Sequence, residues 1–125
     1  MTGRIKVPRR LTKRAVDPLD ALKWEGRKAV ITDSDGKAFF RMEGVEVPAE
    51  WSQLATDILA SKYCRPMNAD ASKRETSART VISRVAGALA AAGVEQGYFS
   101  AADGRAFEAE ISALLGRQTA AFNTP

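Results

Sequence analysis

The sequence predicts an α+β domain, mainly helical with one small β-hairpin, and three observations carry that prediction. Three stretches repeat apolar residues at the helical period. Two short β-branched and aromatic runs flank an Asp-Gly pair, and 125 residues suit one ordinary domain.

Hydrophobic residues make up 45% of the chain, enough for a modest core. No run reaches the roughly 18 apolar residues of a membrane span, and the N-terminus lacks the apolar region and small-residue cleavage site of a secretory signal. A cytoplasmic protein with no membrane partner is expected. The single cysteine, Cys64, cannot form an internal disulfide, and the absence of histidine removes the usual zinc ligands and any Ser-His-Asp or Cys-His mechanism within the chain. No catalytic, metal or cofactor-binding residue is assigned.

The formal charge of +4 is unevenly placed. Arg4, Lys6, Arg9, Arg10, Lys13 and Arg14 precede the first acid, Asp17, leaving 13 of the 19 basic residues against 15 acidic ones in the remainder. Residues 1–16 therefore read as a basic arm, disordered in isolation, and residues 17–125 as the folded domain. Such an arm could touch phosphates. The aromatic residues lie elsewhere and no nucleic-acid motif accompanies it, so a solvated extension is the better reading and the sequence argues against a nucleic-acid partner.

In "VDPLDALKWEGR", Asp17 is an N-cap and Pro18 sits at the first helical position, which predicts a short helix to about Glu25 with Gly26 as its stop. "RKAVIT" and "KAFFRM", separated by Asp33, Ser34, Asp35 and Gly36, predict the hairpin, with "VEVP" a candidate extension. In "PAEWSQLATDILASKY", Trp51, Leu54, Ile58, Leu59 and Tyr63 fall on one helical face, expected to be buried. A polar, mobile linker, "CRPMNADASK", should follow. The next helix should run from about Arg74 to Ala92, with Val81, Ile82, Val85 and Leu89 as its stripe and Gly93 as its C′ residue. Ser100 and Asp103 have capping-box spacing, opening a helix to about Ala120 whose stripe is Phe107, Ile111, Leu114 and Leu115.

These elements supply no active site. Cys64 lies between Tyr63 and Arg65, a basic setting, but a helix-end cysteine without a histidine partner is better read as incidental. Glu108 and Glu110, two residues apart, point to different sides of their helix and read as a solvated face rather than an acid/base pair. Trp24 and Trp51 read as core or interface aromatics.

Several blocks, taken in order, resemble a known family. "DPLDALKWEGRKAVI", "VEVPAEWSQLATDILASKY", "RETSARTVISRV", "GYFS" and "FEAEISALLGRQTAAFNTP" are similar to the N-terminal region of class II, adenosylcobalamin-dependent ribonucleotide reductases, from about Asp17 to Pro125. The chain departs from that pattern at Cys64, where an aromatic residue is commoner, and at Thr124, where serine is commoner. The resemblance implies an N-terminal helical domain that packs on a ten-stranded α/β barrel absent from this chain. It therefore implies a truncation or one part of a split reductase. In the family, cobalt–carbon homolysis produces a cysteine thiyl radical that attacks the ribose, and a cysteine pair supplies two electrons. That needs three cysteines, so the catalytic cysteines and the adenosylcobalamin site are expected in the barrel. The resemblance further implies a ribonucleoside diphosphate as substrate and a role in dNTP supply. It places Thr124 against the nucleotide, with Asn123 beside it; a turn before Pro125 is the alternative for both. The competing functional reading is a small basic-tailed module that binds nucleic acid or an acidic protein.

Overall fold

A computed structural model describes residues 4–67 and 70–122, which fall into two units, residues 4–22 with Ile82–Phe122, and Lys23–Val81.

The unit Lys23–Val81 is built on a hairpin of β1 (Trp24–Thr32) and β2 (Ala38–Pro48). The Asp-Gly signal holds: Asp33 accepts hydrogen bonds from the N–H groups of Asp35 and Lys37, and Gly36 takes φ +80° at the turn. "VEVP" does extend the hairpin, and its partners are residues expected at a helix end. Trp24 pairs with Pro48, Glu25 with Val47 and Gly26 with Glu46. The expected helix to Glu25 is thus one 3-10 turn, Pro18–Ala21, capped by the Asp17 carboxylate on the Leu19 N–H. Cap and proline were legible, but the register of "VEVP" claims Trp24 onward for the sheet.

α1 (Gln53–Ile58) starts at Ser52, whose hydroxyl accepts from the Ala55 N–H, and continues into a π-helical turn, Leu59–Tyr63. The expectation of one buried stripe fails here. Thr56, Leu59 and Ala60 are buried, whereas Leu54 is 69% and Ile58 44% exposed. The linker expectation also changes. Pro66–Met67 (β3) and Asp70–Arg74 (β4) form a second antiparallel pair, closed by the Glu75 N–H on the Arg65 carbonyl and the Arg65 N–H on the Glu75 carboxylate, each 2.9 Å. An acid ten residues from its backbone partner leaves no periodic signal.

α2 (Ala78–Glu95) begins four residues later than expected because Arg74 belongs to β4 and Ser77 is the capping residue, its hydroxyl taking the Arg79 N–H and donating to Glu46 at 2.6 Å. Val81 and Ile82 are buried as expected, along with Ala78, Ala86 and Ala90, while Leu89 is exposed. Gly93 is inside the helix; the C′ position is Gly97, at φ +82°, and Tyr98 and Gly97 donate back to the carbonyls of Gly93 and Val94.

α3 (Ala101–Gly116) keeps its predicted cap, with Ser100 Oγ accepting from the Asp103 N–H at 3.1 Å and donating to the Asp103 carboxylate at 2.9 Å. Its buried face is Gly104, Ala106, Ser112, Ala113 and Gly116 rather than the larger stripe, whose residues are half-buried. A side chain at Gly104 would collide with Val94, and one at Gly116 with Leu19, so small residues set how closely neighbours approach. The helix stops at Gly116, short of Ala120, in a second motif of the same form. Gln118 and Thr119 donate to the carbonyls of Leu115 and Leu114, with Gln118 in the left-handed region at φ +56°. A non-glycine residue there costs about 1 kcal/mol. Gln118→Gly should therefore raise stability by about 0.5 kcal/mol after the entropy of the unfolded glycine is deducted, seen as a higher urea midpoint; an unchanged or lower midpoint would contradict the assigned cap.

Candidate functional site

The basic segment before Pro18 forms no helix or strand among its described residues, yet its backbone is anchored along α3. The N–H of Ile5 donates to the Tyr98 carbonyl at 2.8 Å and that of Val7 to the Asp103 carboxylate at 3.0 Å. Glu110 accepts from the N–H groups of Arg10 and Leu11 at 2.8 and 3.0 Å, and from the Thr12 hydroxyl at 2.6 Å. Glu110 is therefore an anchor rather than part of a solvated face. Its pairing with a segment about 100 residues away explains why helical spacing could not show the role. The anchors are almost all to backbone groups, so the basic side chains of Arg10, Lys13 and Arg14 stay exposed; Lys6 also approaches Asp103, at 3.8 Å.

Both carboxylates are held below their ordinary range. For Glu110, burial pushes upward, and the Thr12 hydroxyl with the N–H groups of Arg10, Leu11 and Thr12 outweighs it. For Asp103 the Val7 N–H is the largest cause, with Ser100 and Lys6 adding to it against a smaller effect of burial. A depressed carboxylate pKa contributes stability above the unfolded value, and that contribution is lost as pH falls through the folded one. The arm should stay anchored at neutral pH and detach in acid below the ordinary carboxylate range. At neutral pH, Glu110→Gln should raise the rate of limited tryptic cleavage at Arg9, Arg10, Lys13 and Arg14 about tenfold, the factor matching a loss of about 1.4 kcal/mol of local anchoring. Equal cleavage rates would show that Glu110 does not hold the arm.

Beside this segment the same unit has a cleft of about 290 Å³. Arg9 and Arg105 bring cations, Asp17 and Glu108 carboxylates, and Ser83 and Ser112 hydroxyls. Neither serine has a histidine to activate it, because the sequence contains none. The opposed charges favour no single sign of ligand, and the lining suits polar groups. Among the described residues no group of three or more Cys, Asp and Glu could hold a metal ion.

Cys64 is buried at the end of the π-helical turn, where its N–H donates to the Leu59 carbonyl and its own carbonyl accepts from Arg74 at 2.7 Å. That burial suits the incidental role over a reactive thiol. Trp24 carries the Arg79 guanidinium 4.8 Å above its ring. Thr124 and Asn123 lie outside the described residues. Sequence reasoning missed Arg27, which lies under the start of α1 and donates to the carbonyls of Ala49 and Trp51 and to the Thr56 hydroxyl. An arginine between two glutamate- and lysine-bearing positions of a strand gives no hint of this.

The fold is that of a small α+β domain, with helices and small antiparallel two-stranded sheets. Residues 25–118 match the family model described as class II vitamin B12-dependent ribonucleotide reductase, and the chain belongs to that family. A vitamin B12-dependent ribonucleotide reductase of Rhodopirellula baltica is 40% identical over 111 residues, covering 86% of this chain and 10% of the relative. Those of Streptomyces clavuligerus and Streptomyces coelicolor are each 37% identical, covering 99% and 97% of this chain and 13% of the relative. The chain thus spans about an eighth or less of the curated relatives it matches. The cleft of about 290 Å³, lined by opposed charges, is too small to enclose a group the size of a cobalamin. No helix among the described residues is long and apolar enough to cross a membrane.

Proposed function

We propose that this chain is the N-terminal part of an adenosylcobalamin-dependent ribonucleoside-diphosphate reductase, acting in dNTP supply in the cytoplasm. In this reading it is a structural element that packs on the catalytic α/β barrel. The observation that carries the reading is the disproportion between family membership and chemistry. The family match runs through most of the chain, yet the reduction needs a cysteine to carry the radical and a pair to supply electrons, and the single cysteine here is buried. The catalytic cysteines and the cofactor site therefore belong to the rest of the reductase, in the same polypeptide or a separate one. Thr124 is proposed to contact the bound nucleotide through its hydroxyl once the barrel is present.

The test is capture of the native protein from its source through an epitope in the turn Asp33–Gly36, followed by intact mass and assay for cobalamin-dependent ribonucleotide reduction. The expected result is reductase activity in the captured material, with the domain in a much larger chain or co-purifying with one. A lone chain of 13.5 kDa without activity or partner would overturn the proposal. Salt-dependent binding to nucleic acid that disappears with residues 1–14 would favour the basic-tailed module instead.

A further inference from the structure

α1 carries its two large apolar residues on the side away from its buried contact. At 3.6 residues per turn, Leu54 and Ile58 lie roughly 160° and 200° around the axis from Thr56, which is fully buried. Thr56, with Leu59 and Ala60 of the π-helical turn that follows, faces inward, so Leu54 and Ile58 point away from that side and stand 69% and 44% exposed. The polar side chains on the neighbouring flank do not need that space. Gln53 donates to the Lys28 carbonyl at 2.7 Å and to Asp57 at 2.9 Å, so both are occupied within their own unit. The π-helical turn that begins at Leu59, directly after Ile58, is a second irregularity at the same place, and such turns concentrate where helices carry function. A helix that turns its large apolar residues outward presents them to a further packing layer, and one this short has little stability of its own. The relatives extend about eight to ten times the length covered here, which supplies the missing material.

We propose that the outward face of α1, centred on Leu54 and Ile58, is the surface on which the catalytic part of the reductase packs. This rests on the function proposed above and adds to it the residues that make the contact.

The test places a photo-crosslinking residue at position 54 in the native reductase, with the same residue at Asp35, on the exposed polar turn of the hairpin, as control. Irradiated material is captured through an epitope fused to the chain's N-terminus, and crosslinked peptides are mapped by mass spectrometry. Crosslinks from position 54 should reach peptides of the catalytic part, at least tenfold more often than from position 35. Crosslinks to a second copy of this domain, or none in captured material that has reductase activity, would overturn the assignment while leaving the proposed function standing. Loss of reductase from the captured material even with unmodified chain would instead strike the proposed function.

Discussion

Arg27→Met is expected to lower stability by about 3 kcal/mol, because it strands several polar partners at once. The Arg27 side chain, 14% exposed, enters from β1 and ties the residues that lead into α1. One amino group reaches the Trp51 carbonyl and the Thr56 hydroxyl, the latter at 3.0 Å; the other reaches the Ala49 carbonyl at 2.8 Å. Glu25 holds the remaining edge at 2.9 Å, and its exposure makes that ion pair the weakest of the set. Methionine keeps the aliphatic stem and deletes every donor, leaving two carbonyls without their partner. Each part-buried polar group stranded in this way costs about 1–3 kcal/mol, and hydrogen bonds from a charged donor lie at the upper end of their range. Arg27→Lys should recover only part of the loss, because one ammonium cannot serve carbonyls on two sides as a planar fork does. Trp24 and Trp51 both belong to this unit, so their fluorescence during urea unfolding reports it directly. A loss below about 1 kcal/mol for Arg27→Met would mean that water replaces the guanidinium and that the tie is not structural.

Arg27 also shows where reading from sequence runs out. Local chemistry was legible: the Asp17 and Ser100 caps, the Asp-Gly turn, and the two long helices in their order all depend on residues within four positions of one another. What was illegible depends on partners far away in the chain. Glu110 anchors residues about 100 positions earlier, Arg27 holds carbonyls more than 20 positions later, and Glu75 closes a small hairpin back at Arg65. The large apolar residues misled in a consistent way. Periodicity finds the stripe that could be buried, and the structure buries Thr56, Ala86, Ala106 and Ala113 while leaving Leu54 and Leu89 in solvent. Small residues permit close approach at little cost in entropy, so they can win the buried positions that periodicity assigns to large ones. For the site, the count of cysteine and histidine led the sequence reading to expect the catalytic residues elsewhere, whereas the position that resemblance assigns to substrate, Thr124, is outside the described residues.

The same substitution at two glycines of α2 should have opposite signs, and the contrast isolates packing from helix propensity. Replacing a helical glycine by alanine ordinarily stabilises by about 0.5–1 kcal/mol, because the freer glycine backbone loses more entropy on folding. At Gly87 a Cβ would meet only the Glu108 carboxylate, 3.6 Å away, an ordinary contact with the end of a flexible side chain. Gly87→Ala is therefore expected to gain about 0.5 kcal/mol. At Gly93 the Cβ would overlap the ring of Phe99, and neither side can yield. Phe99 is only 9% exposed and its ring lies 5.0 Å from that of Phe107, tilted by 32°. The backbone at Gly93 is fixed as well, since its carbonyl receives the N–H groups of Tyr98 at 2.9 Å and Phe99 at 3.1 Å to close the end of the helix. Overpacking a rigid contact costs up to about 3 kcal/mol, which exceeds the propensity gain, so Gly93→Ala should lose about 2 kcal/mol. A second replacement, Phe99→Leu, makes room for the added methyl; in the double variant the cost of Gly93→Ala should shrink, a coupling of about 1 kcal/mol in a double-mutant cycle. Gains at both glycines would mean that Phe99 moves aside freely, and the close approach of ring and helix would then be a consequence of the fold rather than one of its constraints.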